Sequence, residues 1–255
     1  MTDFFNSHGF SIAYDDVGPH EKRPMVLLHG FASNRTENWR RVGWYGAFER
    51  QGLRCIAMDW RGHGESAKPH EPEAYGREAL LDDLFGLLDH LDLDSVNLMG
   101  YSMGARLALA AVLTQPQRFK NLIIGGVGAR LFEPSPSGNP LAEAMECEDP
   151  STLNEPLLNG FRQFADAQGD DRLALAACAR GRGGEAFTRE ALATIRSAVL
   201  VIAGTRDELA GDAQVLADVF MDGRAVTLPG CDHFSAIPHA LYKSTVFDFL
   251  DGTLP

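Results

Sequence analysis

Few cysteines and no long apolar run occur in this chain. Its 255 residues contain four cysteines without paired spacing, at Cys55, Cys147, Cys178 and Cys231. Free thiols are typical of the reducing cytoplasm. No stretch reaches the roughly 18 apolar residues that a membrane helix needs. The first residues, 1–6, lack a basic segment followed by an apolar one, so we expect a cytoplasmic protein without a signal peptide.

Basic residues are scarce relative to acidic ones. The 23 Lys and Arg are outnumbered by 35 Asp and Glu, which gives a net charge of −12. Such a surface repels nucleic acid and anionic membranes, so we expect neither as a partner. The glycine-rich stretches 126–128 and 181–184 lack the residues that complete a phosphate-binding or dinucleotide-binding loop. We therefore expect a monomer or homodimer that binds a small molecule and uses no cofactor and no metal.

The most informative motif is Gly100-Tyr101-Ser102-Met103-Gly104. An apolar run, 96–99, precedes it and is typical of a buried strand. An alanine- and leucine-rich run, 105–113, follows it and favours a helix. A serine at such a junction is typical of a nucleophile elbow, a strained turn that exposes the hydroxyl. The N–H groups at the start of the helix would face the negative charge that develops in acyl transfer.

An oxyanion-binding loop is predicted after the apolar run 24–28, where His29 and Gly30 follow a candidate strand. Acyl transfer in this arrangement needs two N–H donors, one from the residue after the nucleophile and one from such a loop. The expected donors are the backbone N–H groups of Phe31 and Met103. His29 is an alternative catalytic base, although its position before a glycine at a strand end suits a structural turn better.

A serine nucleophile needs a histidine base and an acid that orients the histidine. In this type of fold the acid follows the serine along the chain and the histidine comes last. Asp207 follows a strongly apolar run, 198–204, and His233 follows another candidate strand and a turn. Both would lie beyond the carboxyl ends of their strands, where α/β sheets place reactive groups. Other candidates are His63 and His239 for the base, and Glu208 and Asp232 for the acid.

Together these segments resemble the α/β-hydrolase superfamily. The resemblance rests on His29-Gly30, segment 59–66, the elbow, segment 204–207 and segment 230–233, in that order, and it covers nearly the whole chain outside one middle segment. It implies Ser102 as nucleophile, His233 as base and Asp207 as the orienting acid. Haloalkane dehalogenases and epoxide hydrolases of this superfamily carry aspartate at the elbow, so the serine argues against those two chemistries.

The predicted fold is a doubly wound α/β domain. Candidate strands alternate with helical patterns, and this rhythm indicates a mostly parallel sheet. One pattern is a leucine stripe over residues 77–91 that leaves Asp82, Asp83 and Asp89 on other faces. A hairpin is predicted at the start, where segment 10–14 alternates like an edge strand and pairs with segment 3–6.

A helical cap is predicted over the active site. Residues 130–195 begin with a proline-rich stretch and contain only short helical patterns. The resemblance implies that they form an inserted cap, and that residues 1–129 and 196–255 form a core with an eight-stranded sheet. A cap of this kind excludes water and shapes the pocket.

The cap and the elbow supply the candidate substrate-binding residues. Tyr101 and Arg106 are close to the serine along the chain. Apolar side chains of the cap are candidate pocket walls, with the alternative that they only pack the cap onto the core. These side chains are Phe132, Leu157, Leu158, Phe161 and Phe164.

The sequence predicts a serine hydrolase that cleaves carboxylic esters through an acyl-enzyme on Ser102. Three alternatives stay open. The elbow is similar to that of menaquinone-pathway lyases of the MenH family, which carry G-Y-S-M-G-G-R; Arg106 matches this pattern and Ala105 departs from it. Carbon–carbon bond hydrolases of the meta-cleavage type use the same three residues beneath a cap. The third alternative is a non-catalytic protein that binds a small molecule.

Overall fold

One sheet runs through the chain. The computed structural model describes residues 2–133, 139–182 and 186–254, and within these ranges it contains eight strands. They are β1 Asp3–Ser7, β2 Phe10–Val17, β3 Met25–Leu28, β4 Cys55–Met58, β5 Val96–Tyr101, β6 Phe119–Gly125, β7 Ala198–Gly204 and β8 Gly223–Leu228. Their order across the sheet is β1-β2-β4-β3-β5-β6-β7-β8. From β4 to β8 all neighbours are parallel, so the predicted sheet is confirmed.

The predicted hairpin forms the antiparallel end of the sheet. β1 pairs with β2, and the turn between them places His8 and Gly9 at positive φ, 49° and 90°. β2 also pairs antiparallel with β4. The expectation of an edge strand at residues 10–14 was therefore wrong, because β1 covers that side and is itself the edge.

Helices follow the strands along the chain. In the described ranges the α-helices are α1 Trp44–Arg50, α2 Arg77–His90, α3 Met103–Thr114, α4 Pro140–Glu146, α5 Pro156–Gln168, α6 Arg172–Gly181, α7 Arg189–Leu192, α8 Ala213–Ala217 and α9 Ala240–Leu250. No helix within these ranges is long and apolar enough to cross a bilayer.

Both faces of the sheet are covered by helices. In β3, Val26 and Leu28 join one buried apolar cluster, whereas Met25 and Leu27 join another. Successive side chains of a strand point to opposite faces, so the two clusters lie on the two sides of the sheet. Side chains of α2 and α3 belong to the first cluster, and side chains of α1 and α9 belong to the second. The sheet is therefore doubly wound.

Four helices, α4 to α7, lie between β6 and β7, in the segment predicted as an insertion. Its described residues contain helices and no strand. The proline-rich stretch at its start, residues 134–138, lies outside the described residues. α5 places Phe161 against Phe31 in the loop after β3, with ring centroids 6.0 Å apart. The division of the chain into a core and a cap domain stays a prediction.

A buried ion pair links the loop after β4 to α2. Arg61 and Asp83 are both buried. The Arg61 guanidinium donates from Nε to Oδ2 of Asp83 at 2.7 Å and from Nη2 to Oδ1 at 2.5 Å, so the pair is bidentate. Arg61 also donates to the carbonyl of Ala74 at 2.8 Å. Breaking such a pair leaves one charge buried without a partner, which destabilises the folded state.

We expect Asp83→Ala to lower the free energy of unfolding by about 3–5 kcal/mol, because the Arg61 charge stays buried without its carboxylate. Asp82→Ala is the matched control, since Asp82 is exposed on the same helix. Asp82→Ala should change the free energy of unfolding by at most about 0.5 kcal/mol. Urea unfolding followed by circular dichroism measures both variants. Equal effects of the two substitutions would contradict this role of the ion pair.

Candidate active site

A strained turn joins β5 to α3. Ser102 lies between them at φ 53° and ψ −111°, in a region that residues with a Cβ rarely adopt. Two glycines permit the close backbone contacts of this turn. A Cβ at Gly104 would overlap the carbonyl of Leu28, and one at Gly100 would overlap the carbonyl of Gly104. The N–H of Ser102 donates to the carbonyl of Gly125 at 2.8 Å, which fixes the serine at the end of the sheet.

Ser102, His233 and Asp207 form a hydrogen-bonded chain. Nε2 of His233 lies 2.9 Å from Oγ of Ser102, and Nδ1 lies 3.0 and 2.9 Å from the two carboxylate oxygens of Asp207. An ionised carboxylate only accepts hydrogen bonds, so Nδ1 carries the proton and Nε2 accepts from the hydroxyl. Oδ1 of Asp207 also accepts from the N–H groups of Leu209 and Ala210. This arrangement can remove a proton from Ser102.

Tyr101 fixes the histidine from the other side. Its hydroxyl donates to the backbone carbonyl of His233 at 2.6 Å, and the two rings lie 5.4 Å apart. Tyr101 is buried, and burial raises its pKa well above the usual value. The hydroxyl therefore stays protonated and remains a donor. This bond links the residue before Ser102 directly to the loop that carries His233.

The loop after β3 is held by side-chain hydrogen bonds to Gly30. Nδ1 of His29 donates to the Gly30 carbonyl at 2.8 Å, and the Gly30 N–H donates to Oδ1 of Asn38 at 3.2 Å. Within the described chain, the N–H groups of Phe31 and Met103 donate to no acceptor. Neither predicted oxyanion donor is thus engaged by another acceptor in the described ranges, and their role in binding an oxyanion stays a prediction.

His29 has a structural position. Its Nε2 accepts the N–H of Trp60 at 3.1 Å, while Nδ1 holds Gly30. Burial lowers the pKa of His29 to about 4. A proton on Nε2 would also remove the acceptor that Trp60 needs. His29 is therefore neutral at physiological pH and ties the loop after β4 to the loop after β3.

The other sequence candidates have different partners. Nδ1 of His63 lies 3.1 Å from the Arg61 carbonyl, and His63 is buried. His239 accepts the N–H of Leu241 at the start of α9, at 3.2 Å. Asp232 accepts two backbone N–H groups of its own loop. Nor does any group of three or more His, Cys, Asp or Glu in the described ranges lie together as metal ligands.

A cavity of about 230 Å³ opens beside Ser102 and His233. Aromatic and aliphatic side chains form most of its wall, and polar groups form one side. The lining residues are Gly30, Phe31, Ser33, Glu37, Asn38, Val42, Tyr101, Ser102, Phe161, Phe164, His233, Phe234, Ile237 and Pro238. A site of this kind suits a small, largely apolar molecule with a few polar atoms.

The structure brings only some of the predicted substrate-binding residues to this cavity. Tyr101 and Phe161 line it, whereas Arg106, Phe132 and Leu157 do not. Arg106 lies on α3 one turn beyond the elbow and is exposed. Phe132 packs under an arginine of α7, and Leu157 is exposed on α5. Substrate binding by these three residues stays a prediction, since the lining of one cavity does not test it.

Sequence reasoning missed the polar side of the cavity. Ser33, Glu37 and Asn38 follow the His29-Gly30 pair closely along the chain. A short π-helix, Thr36–Arg40, carries two of them. Their closeness in sequence to the predicted oxyanion loop could have identified these three residues. Phe234, Ile237 and Pro238 were missed in the same way, although they follow His233 directly.

The buried His29 predicts a pH dependence of stability. Its folded-state pKa, about 4, lies below the unfolded value of 6.5. Between these values the unfolded chain binds a proton that the folded chain does not, so stability falls as pH drops from 6.5 towards 4. The contribution of His29 to this loss of stability should approach about 3 kcal/mol. Burial also lowers the pKa of His63, so His63 adds to the same slope. Urea unfolding at several pH values measures it.

His29→Gln should remove this part of the pH dependence, whatever its effect on stability at neutral pH. His20→Gln, in an exposed loop, is the control and should keep the wild-type profile. A His29→Gln variant with the same slope as the wild type would show that His29 is not the group responsible.

Known proteins resemble this chain in sequence. A family model described as alpha/beta hydrolase fold matches residues 23–177. A 2-hydroxymuconate semialdehyde hydrolase of Pseudomonas sp. (strain CF600) is 29% identical over 249 residues, which cover 89% of this chain and 86% of that protein. A Bacillus subtilis (strain 168) protein, provisionally named 2-succinyl-6-hydroxy-2,4-cyclohexadiene-1-carboxylate synthase, is 35% identical over 121 residues. That match covers 46% of this chain and only 41% of the Bacillus protein.

A solved structure resembles the chain over nearly its whole length. The enol-lactonase of Burkholderia xenovorans LB400 superimposes with a TM-score of 0.81 at 25% identity. The superposition covers 98% of this chain and 100% of the lactonase.

Proposed function

The chain belongs to the alpha/beta hydrolase fold family, and from this premise we propose that it cleaves carboxylic esters through an acyl-enzyme on Ser102. The observation that carries the proposal is the 2.9 Å contact between Nε2 of His233 and Oγ of Ser102, at the wall of a largely apolar cavity. A serine hydroxyl is a weak nucleophile unless a base lies within hydrogen-bond reach.

In the first half of the reaction, Oγ of Ser102 attacks the acyl carbon and Nε2 of His233 takes the hydroxyl proton. The carboxylate of Asp207 stabilises the imidazolium that forms. The carbonyl oxygen of the ester becomes negatively charged and accepts from the N–H groups of Phe31 and Met103. The start of α3 adds its positive end to this site.

In the second half, His233 gives its proton to the leaving alcohol and the acyl group stays on Ser102. Water then enters, His233 takes a proton from it, and the hydroxide attacks the acyl carbon. Collapse of the second tetrahedral intermediate returns the proton from His233 to Oγ of Ser102 and releases the acid. Asp207 keeps the histidine in one tautomer through both halves.

The charge of the cavity favours a neutral ester. Its described lining includes the carboxylate of Glu37 and no lysine or arginine. The Bacillus relative is named for a carboxylate. In this chain the one carboxylate of the described lining, Glu37, pairs with Arg41 at 3.0 Å, and the guanidinium of Arg182 lies over the ring of Phe31. The enol-lactonase acts, by name, on a cyclic ester, which fits the proposal.

A second candidate function is hydrolysis of a carbon–carbon bond. It is favoured by the match to the semialdehyde hydrolase of Pseudomonas sp., which extends over 89% of this chain. Such a reaction would use the same serine, histidine and aspartate. Turnover of a vinylogous diketo acid that exceeds turnover of every ester would favour this candidate.

We expect the wild type to hydrolyse p-nitrophenyl esters and Ser102→Ala to lose this activity, because the acyl-enzyme cannot form. The measurement is a series from acetate to dodecanoate, with mass spectrometry of labelling by a fluorophosphonate. Ser244→Ala, exposed on α9, is the control and should keep both properties. A wild type that neither hydrolyses an ester nor becomes labelled would exclude the acyl-enzyme and leave a binding function.

Tyr101→Phe should lower kcat about tenfold with little change in KM. The substitution removes only the hydrogen bond that holds the carbonyl of His233, so it disturbs the position of the base more than substrate binding. Tyr45→Phe is the control, since it removes a 2.7 Å hydrogen bond to Asp15 far along the chain from the triad. If Tyr101→Phe lowers stability but leaves kcat unchanged, the bond does not position His233 for reaction.

A further inference from the structure

The side-chain amide of Asn38 makes a hydrogen bond with one of its two polar atoms, and the other polar atom has no partner among the described residues. Oδ1 accepts the N–H of Gly30 at 3.2 Å, which assigns the other atom as Nδ2. Nδ2 is buried, and no acceptor lies within hydrogen-bond distance of it among the described residues. A buried donor without an acceptor costs roughly 1–3 kcal/mol. An acceptor on a bound molecule would remove this cost.

The cavity distinguishes Asn38 from the other unpaired nitrogens. Several buried side-chain nitrogens lack an acceptor in the described part of the chain, including those of Trp39 and Trp60. Of the residues that carry them, Asn38 is the one that lines the cavity. A molecule in the cavity therefore contacts the residue that holds this free donor.

Asn38 is also close to the reacting serine. A Cβ placed on Gly30 would lie 3.5 Å from Cβ of Ser102 and 3.9 Å from Oδ1 of Asn38. Cβ of Ser102 and Oδ1 of Asn38 thus both lie next to the same position beside Gly30. A substrate whose acyl carbon lies against Ser102 reaches the neighbourhood of Asn38 with its nearby atoms.

The charges around Asn38 define the oxygen that it would bind. Glu37, the preceding residue, lines the same cavity and pairs with Arg41 at 3.0 Å. A carboxylate on the substrate would be repelled by Glu37, whereas a ketone, ether or hydroxyl oxygen would not. The remaining wall is apolar, with Phe161, Phe164 and residues after His233.

We propose that Asn38 is a specificity-determining residue whose Nδ2 donates to a neutral oxygen that the substrate carries near its ester group. This inference rests on the proposed ester hydrolysis. The preferred substrate is then an ester with an apolar body and one additional ketone, ether or hydroxyl oxygen within a few bonds of the acyl carbon. Oδ1 of the same amide keeps the Gly30 loop in place.

The test compares pairs of esters that differ in one atom. Ethyl methoxyacetate and ethyl butanoate carry an oxygen or a methylene at the same position of the acyl chain. 2-Methoxyethyl butyrate and butyl butyrate carry an oxygen or a methylene at the same position of the alcohol part. In at least one pair the wild type should favour the oxygen-bearing member in kcat/KM, relative to the ratio for hydroxide-catalysed hydrolysis. The preference should fall about tenfold in Asn38→Asp, mainly through KM.

Asn38→Asp keeps an acceptor for Gly30 and loses the donor, but it also adds a negative charge that lowers the rate for both members of a pair. The ratio of the two rates within each pair is therefore the quantity that tests the donor. Asn38→Leu removes both contacts and should lower the rate for both members of each pair. Circular dichroism and urea unfolding establish that the variants fold. If Asn38→Asp does not fold, Asn38→Ala is used in its place, because alanine has no side-chain donor. A wild type without preference in either pair, or an unchanged preference in the folded variant, would overturn the proposal.

Binding separates this proposal from the proposed reaction. NMR titration of Ser102→Ala with each ester pair measures affinity without turnover. The oxygen-bearing member should bind more tightly to Ser102→Ala than to the double variant Ser102→Ala/Asn38→Asp, by about tenfold. If the wild type cleaves no ester but this difference is present, the reaction is wrong and the recognition by Asn38 stands. If esters are cleaved and the difference in affinity is absent, the proposed reaction stands and the recognition by Asn38 is wrong.

Discussion

The contact between Gly104 and the end of β3 is the constraint on which the site depends. The carbonyls of Leu28 and His29 occupy the space that a Cβ of residue 104 would need. The first turn of α3 therefore packs directly against the loop after β3. Met103, at the start of that turn, lies close to this loop. A larger residue at 104 would push the two elements apart. It would also shift Ser102, whose positive φ is held between them.

The loop after β3 depends in turn on side chains that do not react. His29 and Asn38 hold the two backbone polar groups of Gly30. An amide is planar, so its two polar atoms keep a fixed relation. A ligand that accepts from Nδ2 of Asn38 would therefore restrict the orientation of Oδ1 and of the Gly30 N–H. Binding energy at one end of the amide would then help to hold the loop that faces the developing oxyanion, as differential binding requires.

The sequence predicts the parts of this molecule that neighbouring residues determine. The strands, the elbow and the places of Asp207 and His233 follow from short apolar runs, glycines and chain order. Contacts between distant segments are another matter. Asp83 lies off the leucine stripe of α2, yet it is buried in an ion pair with Arg61, which lies in the loop after β4. Likewise, no local pattern shows that Asn38 lines the cavity beside Ser102.

The reactive residues alone do not distinguish esters from carbon–carbon substrates, so the difference must come from the cavity. An alcohol leaves once His233 supplies a proton. A carbon leaving group departs with an electron pair that must be stabilised elsewhere on the substrate, and a nearby cation or several donors would serve this purpose. The described lining holds the carboxylate of Glu37, which pairs with Arg41 at 3.0 Å, and the guanidinium of Arg182 lies 5.1 Å from the centre of the Phe31 ring. Which leaving group the cavity favours thus depends on whether the electron-rich end of the substrate lies towards Glu37 or towards Arg182.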